Sequence, residues 1–230
     1  MTDFHYGNTR LRAMKSQLLS LAALDELTTV ATIDRLLNAL TETHYRTAVE
    51  AALIQHQGLA CLQDALQRDL IQIGQKIRGF FSGKAAQQVG ATLQRYDIHN
   101  VKTILRGLAH NLPADEILES TLPLGELQAR ELATLAAAED MQTAVDLLVT
   151  WRTPLAQSLL AKPLSRAGLF VIDMALEQWH FEFVMNASVT KGTTLRQRLL
   201  LETDIANVLT ALRLVGVAEL NSVLPQHFGS

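Results

Sequence analysis

The chain has 230 residues, of which 48% are apolar, enough for one large or two small domains with buried cores, so extended disorder is excluded. Its 20 basic and 23 acidic residues leave a net charge of −3, and a chain without a basic excess lacks the electrostatic footprint of a nucleic-acid-binding protein. The single cysteine, Cys61, excludes a disulfide framework within the chain. It favours a reducing compartment, and we expect Cys61 to be a small buried hydrophobe.

The first half of the chain is predicted to be helical throughout. Apolar residues recur at three- and four-residue spacing, and no stretch shows the alternation that is typical of strands. Glycines and N-cap residues mark the expected ends of the helices. The predicted helices are Thr9 to Leu24; a second that Thr32 caps and that ends near Leu40; Tyr45 to Phe80 with a break near Gln57-Gly58; and Ala85 to His110 with a break near Tyr96-Asp97.

The second half is also predicted to be helical, with prolines marking its interruptions. Pro113-Ala-Asp-Glu116 is a helix start, since proline suits the first turn and carboxylates suit the positive end of the helix dipole. Further predictions are a turn at Pro123-Leu-Gly125, a helix opened by Ala138-Glu-Asp140, interruptions at Pro154 and Pro163, and a long apolar helix from Ser165 to Ser188 that is buried among others.

Neither a membrane span nor a targeting segment is predicted. No stretch reaches the ~18 consecutive apolar residues that cross a bilayer. The first residues, Met-Thr-Asp-Phe-His-Tyr, have neither a basic region nor an apolar region of the kind found in signal peptides. We therefore expect the chain to stay in the cytoplasm.

A ten-residue block occurs twice, 107 positions apart, with seven identical residues. The first copy is Asp97-Ile-His-Asn-Val-Lys-Thr-Ile-Leu-Arg106 and the second is Asp204-Ile-Ala-Asn-Val-Leu-Thr-Ala-Leu-Arg213. Two weaker matches keep the same order, pairing residues 26–31 with 131–136 and residues 45–47 with 151–153. The pattern predicts a helical bundle of about 105 residues used twice. The expected domains are residues 1–112 and 113–230.

The polar residues of this block divide between two helix faces. At ~100° per residue, Asp97 and Asn100 lie on the apolar stripe, whereas His99, Lys102 and Arg106 lie opposite. Burying a carboxylate or an amide is unfavourable without hydrogen bonds, so we expect the first two to bind a neighbouring helix end or a basic side chain. Asp204 and Asn207 hold the same positions in the second copy, where Arg213 has less polar neighbours. Replacing either aspartate with alanine is expected to lower stability.

The sequence offers no convincing catalytic, cofactor or metal site. Residues 79–85 superficially resemble a phosphate loop, but three residues separate the glycines where four are needed, and Ala85 replaces the magnesium-binding hydroxyl. Glu177-x-x-His180 is half of a di-metal motif, and His180 is expected to be a core or interface histidine instead. No histidine has zinc-ligand spacing around cysteine, and no nucleophile elbow is present.

Several segments resemble a known family, the C subunit of V-type and A-type rotary ATPases, called d in eukaryotes. Tyr6-x-Asn-x-Arg-x-Arg-Ala-Met-Lys-Ser16 is similar to its first helix, and both ten-residue blocks are similar to its repeated Asp/Glu, Asn, Arg signature. Pro123-Leu-Gly-x-Leu127 resembles the start of its second repeat. The resemblance implies an all-α, funnel-like subunit of similar bundles, without catalytic activity or a cofactor, that joins the central shaft (D- and F-type subunits) to the membrane proteolipid ring.

The resemblance also implies a location and a docking surface. Such a subunit lies at the cytoplasmic face of a membrane and takes part in proton or sodium transport without binding nucleic acid or a small-molecule substrate. We expect His99, Lys102, Arg106 and Arg213 to contact the shaft. The family usually has a third repeat, whereas this sequence stops soon after its second signature, so we expect either a truncated chain or a short variant of the family. A helical adaptor with an unrelated protein partner is the alternative, and an all-helical enzyme is a more remote one.

Overall fold

The computed structural model describes residues 4–160, 162–186 and 193–214, and within these ranges every regular element is a helix. The chain divides into two compact units, Met1–Gly90 and Ala91–Ser230. That division falls inside a long helix because its two halves pack within different units. The domain boundary that we expect between residues 112 and 113 is inferred from the repeat in the sequence, and it stays a prediction.

Unit 1 contains five complete helices and the start of a sixth. Their bounds are α1 Phe4–Lys15, α2 Leu21–Thr28, α3 Ile33–Thr41, α4 Arg46–Leu53 and α5 Gly58–Gly79, after which α6 runs over Gly83–Ala109 into unit 2.

The expected helix breaks are partly correct. The prediction of one helix over Thr9–Leu24 is wrong, because α1 ends at Lys15 and the hydroxyl of Ser20 accepts a hydrogen bond from Ala23 N (3.1 Å) to start α2. The break near Gln57-Gly58 and the Thr32 cap, which accepts from Arg35 N at 3.3 Å, are confirmed.

The core of unit 1 is small and is built where α3, α4 and α5 meet. Its fully buried residues are mainly short side chains, which allow the helices to approach closely. They are Leu37, Leu40, Val49, Ala52, Cys61 and Ala65. The expected burial of Cys61 is confirmed, and burial raises the pKa of its thiol, so this cysteine is a packing residue.

Among its described residues, unit 2 adds six helices to the second part of α6. They are α7 Ala114–Glu119, α8 Ala129–Ala136, α9 Met141–Thr150, α10 Ala156–Leu159, α11 Leu169–Asn186 and α12 Thr194–Leu214, with a single 3₁₀ turn at Arg166–Gly168 before α11. The predicted helix starts at Pro113 and Asp140 are confirmed, as is the turn at residues 123–125. Asp140 accepts a hydrogen bond from Thr143 N (2.7 Å), which holds the pKa of its carboxyl below the usual value.

One apolar face of α6 lies at the centre of the larger core. Ile98, Val101, Ile104 and Leu105 are buried against residues of α7, α8, α9 and α11. Helix α6 is continuous through Tyr96 and Asp97, so the predicted break there is wrong. The buried polar residues Asp97 and Asn100 of α6 bind the segment before α8, and Lys102 and Arg106 pair with α11.

Candidate functional site

The first signature aspartate is a buried acceptor for backbone N–H groups. The side chain of Asp97 is 2% exposed, and its two carboxylate oxygens accept hydrogen bonds from Glu126 N (2.8 Å) and Leu127 N (2.9 Å). Hydrogen bonds to a charged acceptor are stronger than neutral ones and compensate for the loss of water around it. Asp97 thus fixes the residues that lead into α8.

The asparagine one helical turn later binds the same segment. Asn100 is fully buried, its Oδ1 accepts from Leu122 N and its Nδ2 donates to Leu122 O, both at 2.7 Å. His99 Nε2 lies 3.0 Å from the carbonyl oxygen of Ser120, to which it can donate when that nitrogen carries the proton. We call Asp97, His99 and Asn100 the signature clamp, because together they hold residues 120–127. The expectation that the acid and amide bind neighbouring backbone is confirmed.

Gly125 is the position at which the segment passes closest to the clamp. A Cβ built on Gly125 would overlap the carboxylate of Asp97, and no other residue type lacks that atom. The sequence indicated a turn here from its Pro-x-Gly pattern but gave no sign that a side chain from α6 requires the glycine. That requirement depends on a contact 28 positions away in the chain.

Two cations on the opposite side of α6 form ion pairs with α11. Lys102 Nζ lies 2.5 Å from Glu177 Oε1, and Arg106 Nη2 lies 2.7 Å from Asp173 Oδ2. Both pairs are partly exposed, so each is screened by solvent and contributes modestly to stability. The family resemblance led us to expect Lys102 and Arg106 to point toward a partner protein, and the sequence pattern did not indicate that these acids pair with them.

The three docking candidates on α6 therefore all have contacts within unit 2. Their role in binding a partner protein stays a prediction. The fourth candidate, Arg213, lies in α12, but its side chain is outside the described residues, as is that of Asn207.

The second signature copy has the same helical form and different surroundings. Asp204 is exposed, so the expectation that it is buried like Asp97 is wrong for this structure. The apolar residues of the two copies differ in exposure in the same way as the two aspartates. Ile98, Val101 and Leu105 are 3%, 1% and 1% exposed, whereas their counterparts Ile205, Val208 and Leu212 are 51%, 59% and 64% exposed. Helices α7 to α11 cover the first face, and nothing within the described residues covers the second.

A small cavity with both charged and apolar lining residues lies where α6, α11 and α12 meet. Its volume is about 130 Å³. Glu202 accepts from Arg198 Nε (2.9 Å) on its own helix and pairs more loosely with Arg95 Nη1 (3.5 Å) on α6. The cavity is lined by Thr92, Leu93, Arg95, Tyr96, His180, Arg198 and Glu202.

His180 occupies the inner side of this cavity, as the core or interface histidine that the sequence predicts. Burial lowers the pKa of its imidazole, which favours the neutral ring. Its Nδ1 is buried and has no hydrogen-bond partner among the described residues. The pairing of Arg95 with Glu202 joins equivalent positions of the two repeats, since both lie two residues before their signature aspartate, just outside the ten-residue block.

Other kinds of site were sought among the described residues. No group of three His, Cys, Asp or Glu side chains there could hold a metal ion. None of the helices in those ranges is both long enough and apolar enough to cross a membrane. What the geometry does define is a set of side-chain contacts that join helices to one another.

These features describe a class of protein, a framework that is helical throughout its described residues and in which the first copy of a repeated polar signature organises the packing of short helices. The chain belongs to the ATP synthase (C/AC39) subunit family, whose sequence model matches residues 7–227. It is 31% identical to the C subunit of the A-type ATP synthase of Methanosarcina acetivorans, with 97% of this chain and 62% of that protein aligned.

Two bacterial relatives give a similar result. The C subunit of the V-type ATP synthase of Deinococcus radiodurans is 28% identical over 91% of this chain and 60% of its own length. The protein of the same name from Thermus thermophilus is 30% identical over 93% of this chain and 64% of its own. The chain thus spans about three fifths of the length of these relatives.

Proposed function

We propose that this chain is a non-catalytic subunit of a V/A-type rotary ATPase or ATP synthase. The observation that carries the proposal is the family match, which extends over residues 7–227. The signature clamp supports it, because the polar residues that define the repeat bind backbone groups of the same unit. Side chains used in this way serve a framework and leave the chemistry of ATP to other subunits.

Within that machine the proposed role is mechanical coupling. The chain connects the rotating central shaft, made of D- and F-type subunits, to the membrane proteolipid ring, at the cytoplasmic face of the membrane. Torque passed through such a part drives proton or sodium transport, or ATP synthesis in the opposite direction. A helical framework with buried hydrogen bonds from a helix to a connecting segment suits this task because it resists deformation under load.

The proposed shaft-contact residues are His99, Lys102, Arg106 and Arg213. Arg106 is about half exposed although it pairs with Asp173, so an acidic partner could approach its guanidinium. Such a partner would compete with Asp173, and Glu177 would compete in the same way at Lys102. Competition from Asp173 and Glu177 thus weakens the proposed contact with the shaft but does not prevent it.

Two substitutions at one ion pair test this contact. Arg106→Glu is expected to weaken binding to the purified shaft pair about tenfold or more, because it places a negative charge where an acidic surface docks. Asp173→Asn breaks the same internal pair but frees the arginine, and is expected to leave the affinity unchanged or to increase it. Arg130→Glu, an equal charge change at an exposed position of α8, is the control. If both Arg106→Glu and Asp173→Asn weaken binding alike, the ion pair acts only on the fold and the docking proposal is wrong.

We also propose that the exposed apolar face of α12 is covered in the assembled protein by a helical unit of the same kind. Its residues match, by repeat position, the face of α6 that α7 to α11 cover. A row of exposed Ile, Val and Leu at helical spacing is typical of an interface.

The two alternatives have less support. A helical adaptor with an unrelated partner explains the same fold but not the family match. An all-helical enzyme would need a site for its substrate, and the cavity beside His180, at about 130 Å³, is well below the few hundred Å³ of common ligand pockets.

A further inference from the structure

The junction between α12 and the rest of unit 2 includes a cluster of charges around the partly buried imidazole of His180. Glu202 of α12 pairs with Arg95 of α6, at 3.5 Å, and with Arg198 of its own helix, at 2.9 Å. The Arg95 pair is the one that joins two helices, and it is the longer of the two. His180 of α11 lines the same cavity, with its Nδ1 buried and unpartnered among the described residues.

The charges that face His180 do not favour a fourth cation. Arg95, Lys102 and Tyr96 face it from α6, Arg198 and Glu202 from α12, and Glu177 from its own helix. With three cations and two carboxylates, the net charge around the ring is positive at neutral pH. Both carboxylates already have partners, since Glu177 pairs with Lys102 and Glu202 pairs with the two arginines.

We propose that His180 makes this junction a pH-sensitive latch, which is closed when the imidazole is neutral and released when it is protonated. An imidazolium in the cavity repels Arg95, whose contact with Glu202 is the longer of the two that this carboxylate makes. Arg198 keeps its contact with Glu202 because both lie on α12. The interhelix ion pair is therefore the one that is lost, and α12 loosens from α6.

The direction of the pH effect follows from the same arrangement. Burial and the neighbouring arginine lower the pKa of His180 in the folded chain, so between its ordinary value near 6.5 and the lowered value the unfolded or released form binds more protons. The attachment of α12 is complete above about pH 6.5 and is lost progressively as the pH falls below it. Acidification, and not alkalinisation, opens the latch.

Hydrogen exchange of the whole chain tests the proposal. Amide exchange in peptides from the middle of α12, corrected for the intrinsic pH dependence of exchange, is compared at about pH 7.5 and about pH 5.5. The latch predicts a loss of protection of about threefold or more at the lower pH. His180→Gln, which cannot titrate, is expected to remove this pH step. His110→Gln, in the same unit at the end of α6, is the control and should keep it.

Either of two results would overturn the latch: protection of α12 that is equal at both pH values in the parent chain, or a full pH step in His180→Gln. If that variant does not fold, Arg95→Gln takes its place. It removes the interhelix pair directly, so its α12 should exchange at about pH 7.5 as fast as in the acidified parent and show no further step. Strong pH dependence in a folded Arg95→Gln variant would likewise contradict the proposal.

Discussion

At the scale of single residues, two aspartates at the same place in a sequence repeat have different roles in this chain. Asp97 is buried and accepts two backbone hydrogen bonds, whereas Asp204 is exposed. Whether a signature carboxylate stabilises the fold therefore depends on whether backbone N–H groups lie within hydrogen-bonding distance of it. Gly125 belongs to the same contact, since only a residue without a Cβ leaves room for Asp97.

Replacing these aspartates separates the two roles. Asp97→Ala leaves the N–H groups of Glu126 and Leu127 without their acceptor, and is expected to lower the free energy of unfolding by about 1–3 kcal/mol. Asp204→Ala removes an exposed side chain and should change it by less than about 0.5 kcal/mol. Denaturation followed by tryptophan fluorescence reports on unit 2, which contains both tryptophans, Trp151 and Trp179. Equal losses in the two variants would show that Asp204 has buried partners after all.

The signature residues also show what the sequence could predict at this scale. Helical spacing alone placed Asp97 and Asn100 on the apolar side of α6 and required hydrogen-bond partners for them. Helical spacing could not identify residues 120–127 as those partners, because a contact between residues far apart in the chain produces no periodic pattern in the sequence. The acids paired with Lys102 and Arg106 were missed for the same reason.

At the scale of helices, α6 and α12 are the informative pair. Both carry the signature, and both have apolar residues at the same repeat positions. Helix α6 is covered along that face, and α12 is open within the described structure. A helix with a free apolar face is held in place by fewer contacts, so its polar junctions, such as Arg95 with Glu202, matter more to its position.

Truncating one leucine in each helix tests this difference. Leu105→Ala opens a cavity in the core of unit 2 and is expected to lower its stability by about 2–5 kcal/mol. Leu212→Ala, at the matching position, removes a side chain that is 64% exposed and should lower it by less than about 1 kcal/mol. Urea denaturation of both variants gives the comparison. A large effect at Leu212 would mean that its face is packed against part of this chain.

Helix boundaries were predictable where a cap residue signals them locally. Thr32 and Asp140 begin helices as predicted, because each side chain accepts a hydrogen bond from the first turn. Ser20 is also an N-cap residue, but apolar residues continue at helical spacing on both sides of it, so the sequence pattern did not reveal the helix break there. The false break at Asp97 has a physical reason: aspartate usually disrupts a helix by binding nearby backbone, and here its carboxylate binds distant backbone instead.

At the scale of the whole molecule, the central claim is that a helical framework of repeated bundles connects a rotating shaft to a membrane ring. The all-helical class was predictable from periodicity, and membership of the ATP synthase (C/AC39) subunit family was predictable from the order of the motifs. The identity of the contacting surfaces was not, because surface complementarity depends on the partner's shape as well as on this chain.

Native mass spectrometry of this chain mixed with the purified D- and F-type shaft subunits from the same source tests that claim most directly. We predict a complex that contains one copy of each of the three polypeptides. The folded state of the chain should be established in the same buffer, and a chain from an unrelated helical repeat protein serves as the control for nonspecific association. A folded chain that forms no complex with the shaft pair, under conditions in which a full-length relative does form one, would contradict the proposed coupling role.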